Sequence, residues 1–132
     1  MATINPYQAY QQNSVTTASP GELTLMLYNG CLKFINQAEI SIKEKKYEIK
    51  NENLKKAQSI ILELMATLKT DFEFTKNMMS LYEYINHLLI EANIKNDLVS
   101  LKEAEELVID FRDTWKQVIK INRKQNYQGG SI

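Results

Sequence analysis

The sequence predicts an all-α fold: an antiparallel up-and-down bundle of four helices with an extended N-terminal arm. Apolar residues recur every three or four positions along most of the chain, which is the period of a helix with one buried face. The chain has only four glycines and two prolines in 132 residues, which is too few for the many turns of an all-β protein. Short connectors separate the helical segments, so consecutive helices are expected to run antiparallel.

The chain divides into three parts within what is expected to be one domain. Residues 1–18 are polar and uncharged and are predicted to form the arm, either flexible or docked on the body. Residues 19–126 are predicted to form the bundle. Residues 127–132 contain two consecutive glycines and are predicted to be a flexible tail.

The first helix is predicted to begin at Ser19-Pro20-Gly21-Glu22. There serine is a cap, proline suits the first helical position, and glutamate completes a capping box. Its core stripe consists of Leu23, Leu27, Cys31, Phe34 and Ala38. The sequence signal for a break between two helices is weakest at Lys46 to Lys50. Continuation of the first helix through this stretch is therefore an open alternative.

The remaining three helices follow from stripes of the same period. The second is predicted over roughly 51–69 and the third over roughly 74–95. The fourth is predicted to open with a capping box at Ser100-x-x-Glu103 and to end near Lys124. Its stripe consists of Leu101, Ala104, Leu107, Val108, Phe111, Trp115 and Val118.

Composition excludes several classes of function. The 16 basic and 16 acidic side chains give a net charge of zero, so no overall field steers the protein to nucleic acid or to an anionic membrane. One cysteine and one histidine cannot form an internal disulfide, a Cys/His zinc cluster or a di-iron site with two Glu-x-x-His pairs. Gly-rich phosphate loops and nucleophile motifs are missing from the sequence. We expect no enzyme, no cofactor, no metal site and no small-molecule substrate.

A histidine phosphotransfer domain is the first alternative, because such a domain is a helical bundle with one exposed histidine. His87 is the only candidate. Phosphotransfer domains resemble one another in placing lysine and glycine three and four residues after the histidine, where this chain has Ile90 and Glu91. A structural or surface role for His87 is the favoured interpretation.

The lack of recognisable sorting signals in the sequence predicts a cytoplasmic location. The N-terminus lacks the basic start and apolar run of a secretory signal. The longest uncharged apolar run, Leu23 to Leu32, is about half of a membrane span. We therefore expect a soluble cytoplasmic protein with no membrane insertion.

The first helix carries a second apolar stripe, which one buried face does not require. It consists of Leu25, Tyr28, Leu32 and Ile35. A weaker counterpart on the third helix consists of Met79, Ile90 and Ile94. The simple interpretation is that a bundle helix touches two neighbours or is covered by the arm. The alternative is a groove for apolar helices of a partner.

Several motifs in order along nearly the whole chain resemble the flagellar secretion chaperone (FliS-type) family. The most specific block joins paired tyrosines to a Thr-Ala-Ser-Pro cap. The motifs are Asn5-Pro6-Tyr7-x-x-Tyr10, Val15-Thr16-Thr17-Ala18-Ser19-Pro20-Gly21-Glu22-Leu23, Met26-Leu27-Tyr28-Asn29-Gly30, Ala57-Gln58-x-Ile60-Ile61-x-Glu63-Leu64, Leu81-Tyr82-x-Tyr84-Ile85 and Arg112-x-x-Trp115. One departure is Gly21, where the family usually has an acidic residue.

This resemblance implies a cytoplasmic chaperone that binds the disordered C-terminal region of flagellin. Such a chaperone prevents premature polymerisation and delivers flagellin to the flagellar type III export gate, without a cofactor. The arm is implied to fold over the client cleft and to help docking on the gate protein; its candidate residues are Ile4, Tyr7 and Tyr10. A structural helical interaction module with another client is the second alternative.

Overall fold

The computed structural model describes the backbone of residues 20–68 and 73–130, and the side chains of residues 21–68 and 75–121. This part of the chain forms four helices and contains no strand. The helices are α1 (Pro20–Lys43), α2 (Tyr47–Thr67), α3 (Glu73–Lys95) and α4 (Leu98–Gly130). The predicted four-helix fold is confirmed. The predicted arm, residues 1–18, lies outside the described residues.

The helices pack in chain order around one core. α1 packs against α2 and α4, and α3 packs against the same two helices, so α1 and α3 occupy one diagonal of the bundle. The predicted stripes supply most of the core, because their apolar side chains face inward on every helix. The largest side chains with almost no exposure are Tyr28, Tyr82, Ile35, Leu54, Ile61, Leu64, Ile85, Leu89, Leu101 and Val108.

The connection between α1 and α2 is formed by a residue with a left-handed backbone. Lys45 has a φ of 60°, and the amide of Lys46 donates to the carbonyl of Ser41 at 2.8 Å. This is the Schellman pattern that usually has glycine at the left-handed position. The break therefore lies before Tyr47, and the prediction that the second helix starts near Asn51 was wrong by one turn.

The connection between α3 and α4 repeats the same pattern. Asn96 has a φ of 52°, and the amide of Asp97 donates to the carbonyl of Ala92 at 3.1 Å. Asp97 then caps α4, because its Oδ1 accepts from the amide of Val99 at 2.9 Å and its Oδ2 from the hydroxyl of Ser100 at 3.0 Å. The prediction of a cap at Ser100 was wrong: Ser100 lies inside the first turn.

A buried lysine joins the two turns at this end of the bundle. Lys50, in the first turns of α2, is 6% exposed. Its ammonium donates to the carbonyl of Asn93 at 2.7 Å and to Oδ1 of Asn96 at 2.6 Å. Burial lowers the pKa of Lys50. The contact places the start of α2 beside the end of α3, as antiparallel packing requires, and it satisfies a carbonyl that the end of α3 leaves unpaired.

The last helix is longer than expected. α4 continues to Gly130, past the predicted end near Lys124, and includes part of the segment 127–132. The flexible tail expected there stays a prediction. No helix in the described part of the chain is both long and apolar enough to cross a membrane.

Candidate functional site: an apolar groove on α3 and α4

An open apolar groove lies where α3 and α4 meet, over one tyrosine of α1. Its volume is about 630 Å³. Most of its lining is apolar or aromatic, and Asp110 is the only charged residue that the described part of the chain contributes to it. The lining residues are Tyr28, Met78, Leu81, Leu107, Asp110, Phe111, Thr114, Trp115 and Val118. Such a surface suits the apolar face of another helix, because ridges of side chains on the incoming helix pack between the two existing ones.

Two aromatic residues at the base of the groove, Tyr28 and Phe111, contact a third, Tyr82, and together the three rings connect three helices. The ring of Phe111 stacks on that of Tyr28 with centroids 6.0 Å apart, and its centroid lies 4.9 Å from that of Tyr82. The hydroxyls of Tyr28 and Tyr82 are hydrogen-bonded to each other across the diagonal of the bundle. Each hydroxyl therefore has a partner although both residues are only 2% exposed.

The hydroxyl pair at the base carries no charge at neutral pH. Burial raises the pKa of the Tyr28 hydroxyl, although its hydrogen bond to Tyr82 acts in the opposite direction. Burial also raises the pKa of Tyr82, and the Tyr28 hydroxyl reinforces that shift. A neutral, internally satisfied base favours an apolar occupant over a charged one.

One end of the groove is held to the start of α1. The indole Nε1 of Trp115 donates to the main-chain carbonyl of Gly21 at 2.8 Å. A second, smaller cavity of about 270 Å³ lies beside this contact, and it is lined by Glu22, Leu25, Lys116, Ile119 and Lys120. The start of α1 is thus fixed against the half of α4 that forms the groove.

Two residues of the second stripe of α1 lie at or beside the groove, and two do not. Tyr28 forms part of its base, and Leu25 lines the smaller cavity. Leu32 is 6% exposed and Ile35 is fully buried. The expected exposed stripe is therefore not found at these two positions.

The contacts of α1 with its neighbours explain why Leu32 and Ile35 are buried. The thiol of Cys31, on the first stripe, lies 3.9 Å from the carbonyl of Ala57 on α2, whereas Tyr28 contacts Phe111 on α4. The two stripes face two neighbouring helices. This favours the simple interpretation for Leu32 and Ile35.

The residues predicted as a weaker stripe on α3 lie away from the core. Ile90 is 39% exposed and Ile94 is 75% exposed, while Met79 is partly buried. They form no part of the groove. The arm residues Ile4, Tyr7 and Tyr10 lie outside the described residues.

Sequence reasoning missed most of the groove. Met78, Leu81, Leu107, Phe111 and Trp115 have the spacing of core residues, and periodicity cannot separate a fully buried position from a half-buried one. A weak signal exists in α4, whose stripe is aliphatic in its first half and contains the aromatic residues Phe111 and Trp115 in its second half.

The described residues offer no metal site, and their one thiol is buried. They contain no group of three metal-ligating side chains. Cys31 is fully buried, and burial raises the pKa of its thiol to about 12, so it is a poor nucleophile. His87 is exposed on α3 beside the Ile90 and Glu91 that depart from the phosphotransfer pattern.

Comparison with known proteins agrees with the fold. A crystal structure described as a flagellar chaperone from bacteria has a similar fold, with a TM-score of 0.71 and 21% sequence identity over 86% of this chain and 94% of that chain. The family described as "Flagellar protein FliS" matches residues 3–122. This chain belongs to the FliS family.

Curated FliS relatives are similar along nearly their whole length. The flagellar secretion chaperone FliS of Bacillus subtilis is 56% identical over 132 residues, which is 100% of this chain and 99% of that protein. The Escherichia coli protein of the same name is 32% identical, over 83% of this chain and 86% of its own length. The resemblance inferred from the sequence motifs is confirmed.

Proposed function

We propose that this FliS-family chain binds the disordered C-terminal region of flagellin in the cytoplasm, prevents its premature polymerisation and delivers it to the flagellar export gate. The observation that carries this proposal is the apolar groove. A filament-forming segment associates with its own copies through an apolar helical face, so a groove that covers such a face removes the self-association site.

The dimensions of the groove match a short helix of the client. Its lining on α4 runs from Leu107 to Val118, which corresponds to roughly 16 Å of helix. A client helix of about three turns fits that length. Folding such a segment on binding costs about 2–5 kcal/mol of the gross interaction energy, which keeps the complex reversible enough for release at the gate.

The polar groups of the groove are few and sit where they can orient the client. Asp110 is exposed on α4, and Thr114 follows one turn later. A basic or amide side chain of the client placed beside Asp110 would set the direction of the helix. Ile90 and Ile94 supply a separate apolar surface on α3, where we propose a second contact with the flagellin chain.

The arm is proposed to act on the same groove. Ile4, Tyr7 and Tyr10 are spaced by three, so a helical segment of about two turns would present all of them on one side. We propose that they cover the apolar surface before the client arrives and then serve the export gate. Closing the groove in this way lowers the apparent affinity for flagellin by the fraction of closed molecules.

Calorimetry with a peptide of the flagellin C-terminal region tests the proposal. Leu81 is 42% exposed and Val118 is half-buried, so both line the groove without being part of the core. Leu81→Asp and Val118→Asp should each weaken binding by at least tenfold, since burying one such side chain is worth about 1.5–3 kcal/mol. The heat-capacity change of the native complex should be strongly negative.

Leu62→Asp is the matched control, because Leu62 is 54% exposed on α2, which does not line the groove. It should leave binding unchanged. Equal affinities for the control and both groove variants would place the client elsewhere on the bundle. A folded native chain that shows no binding at micromolar concentration would favour the structural interaction module with another client.

A further inference from the structure

The charged residues of α4 are segregated by sign along the helix. Residues 98–113 include five acidic residues and two basic residues, whereas residues 114–132 include four basic residues and no acidic one. The net charge of zero therefore conceals a helix whose first half is negative and whose second half is positive.

These charges are not compensated within the described part of the chain. Glu106 and Asp110 are exposed four positions apart, and so are Lys116 and Lys120. Like charges at that spacing destabilise a helix. None of the four side chains forms an ion pair with another described residue. The helix dipole does not explain the arrangement, because it acts within the first and last turns, and Asp110 and Lys116 lie near the middle of α4.

A second copy of α4 that runs antiparallel to the first matches both halves at once. A two-fold axis level with Asp113 relates each position before Asp113 to the position equally far after it. Asp110 then faces Lys116 of the second copy, and Glu106 faces Lys120 of the second copy. All five residues are exposed and lie within about a third of the circumference of α4, so one face carries the whole set.

The residue on the axis has its own counter-charge. Asp113 meets Asp113 of the second copy, but its Oδ1 lies 3.0 Å from Nε of Arg112 in the same chain, and this ion pair reduces the repulsion. A uniform polyanion, such as a nucleic acid or an anionic membrane, is attracted by the second half of α4 and repelled by the first half. A second copy in antiparallel orientation presents the reverse order of charges.

We propose that two copies of this chain pair antiparallel through the exposed faces of their α4 helices. The pair is closed by its two-fold symmetry, and each of the two ion pairs occurs twice. Exposed ion pairs contribute little each, and the paired face consists mainly of charged side chains, so the dimer is weak and depends on salt. The pairing stands whether or not the groove binds flagellin.

Sedimentation of the full chain at low and high salt tests the pairing. Between about 20 mM and 1 M salt the screening length falls from roughly 20 Å to about 3 Å, so the dimer should be at least tenfold weaker at high salt. Glu106→Lys and Lys120→Glu each place like charges face to face and should each weaken the low-salt dimer by about tenfold. The double variant Glu106→Lys/Lys120→Glu exchanges the two charges and should restore the dimer to within about threefold of the native chain.

Glu63→Lys and Lys55→Glu on α2 are the matched controls, because both residues are exposed and the substitutions change the net charge by the same amounts. Both should leave the association unchanged. A native chain that stays monomeric at low salt, or a double variant that associates no more tightly than the single variants, would overturn the proposal. So would an association that is insensitive to salt and is lost in Leu81→Asp, because the groove would then join the copies.

Cross-linking at the axis tests the geometry independently. Asp113→Cys places a thiol where the two copies meet, and a short bis-maleimide should link this variant into dimers at low salt and at least tenfold less at high salt. Cys31 does not interfere, because it is fully buried and its thiol has a raised pKa. Equal yields of cross-linked dimer for Asp113→Cys and Glu63→Cys would indicate random collision and refute the pairing.

Discussion

The indole nitrogen of Trp115 donates a hydrogen bond to the carbonyl of Gly21, 2.8 Å away, across 94 positions of the chain. It ties the first turn of α1 to α4 at one end of the groove. Trp115→Phe keeps one aromatic ring but removes the donor and a smaller part of the apolar contact, so we expect a loss of about 1–1.5 kcal/mol in the free energy of unfolding. Trp115→Ala also removes apolar contact and should cost about 2–3 kcal/mol. Urea denaturation followed by circular dichroism measures both, and equal losses would show that the ring adds little beyond the hydrogen bond.

Gly21 itself is expected to be suboptimal for stability. It lies in the first turn of α1 without a positive φ, and a Cβ built there would be 3.5 Å from Cγ1 of Ile119, an ordinary contact distance. Gly21→Ala should therefore raise the free energy of unfolding by about 0.5–1 kcal/mol, since alanine loses less backbone entropy in a helix. A thermal melt measures the change. A lower melting temperature would mean that Ile119 cannot accommodate the methyl group.

The turn between α1 and α2 offers a second stabilising substitution. Lys45 holds a φ of 60°, which a lysine adopts at a cost and glycine adopts freely. Lys45→Gly should stabilise the chain by about 1 kcal/mol. Lys46→Gly is the control, because Lys46 has a φ of −94° and gains nothing from glycine. Equal melting temperatures for Lys45→Gly and the native chain would show that the turn is not strained.

Leu32 separates the two interpretations of the second stripe. It is 6% exposed, so Leu32→Asp places an unpaired carboxylate in the core and should unfold the bundle. Its neighbour Lys33 is exposed, and Lys33→Asp should leave the helical signal in circular dichroism unchanged. A folded Leu32→Asp variant with weakened flagellin binding would instead place Leu32 in the client site.

The helices and the core were predictable because they depend on periodicity alone. Cys31, Ala38 and Leu101 come from predicted stripes, and each is fully buried. The turns were not predictable in the same way. The sequence rules look for glycine or asparagine at a left-handed position, so they fit Asn96 but give no sign of the turn at Lys45.

The candidate site was predictable only in part. Tyr28 was identified because it lies on a stripe that one buried face does not require. Trp115 and Phe111 lie on the predicted core stripe of α4, and only the packing of α3 shows that they are half-buried. Half-burial depends on the distance between helices, and local spacing carries no information about it.

Deletion of residues 1–17 tests the role proposed for the arm. The described bundle begins at Pro20 and buries its own core, so the shortened chain should fold. Each aromatic residue that the arm buries is worth about 1.5–3 kcal/mol before ordering costs, which is enough to populate a closed groove. Without that competition, the shortened chain should bind the flagellin peptide as tightly as the native chain or more tightly.

The same deletion should have two further effects if the arm covers the groove. The uncovered apolar surface should make the shortened chain more prone to self-associate, which sedimentation measures. Export of flagellin in cells should fall more than binding does, because the arm tyrosines are proposed to serve the gate. If the affinity for flagellin instead falls by more than tenfold on deletion, Ile4, Tyr7 and Tyr10 belong to the client site. Removing a segment that only competes with the client leaves the affinity unchanged or raises it.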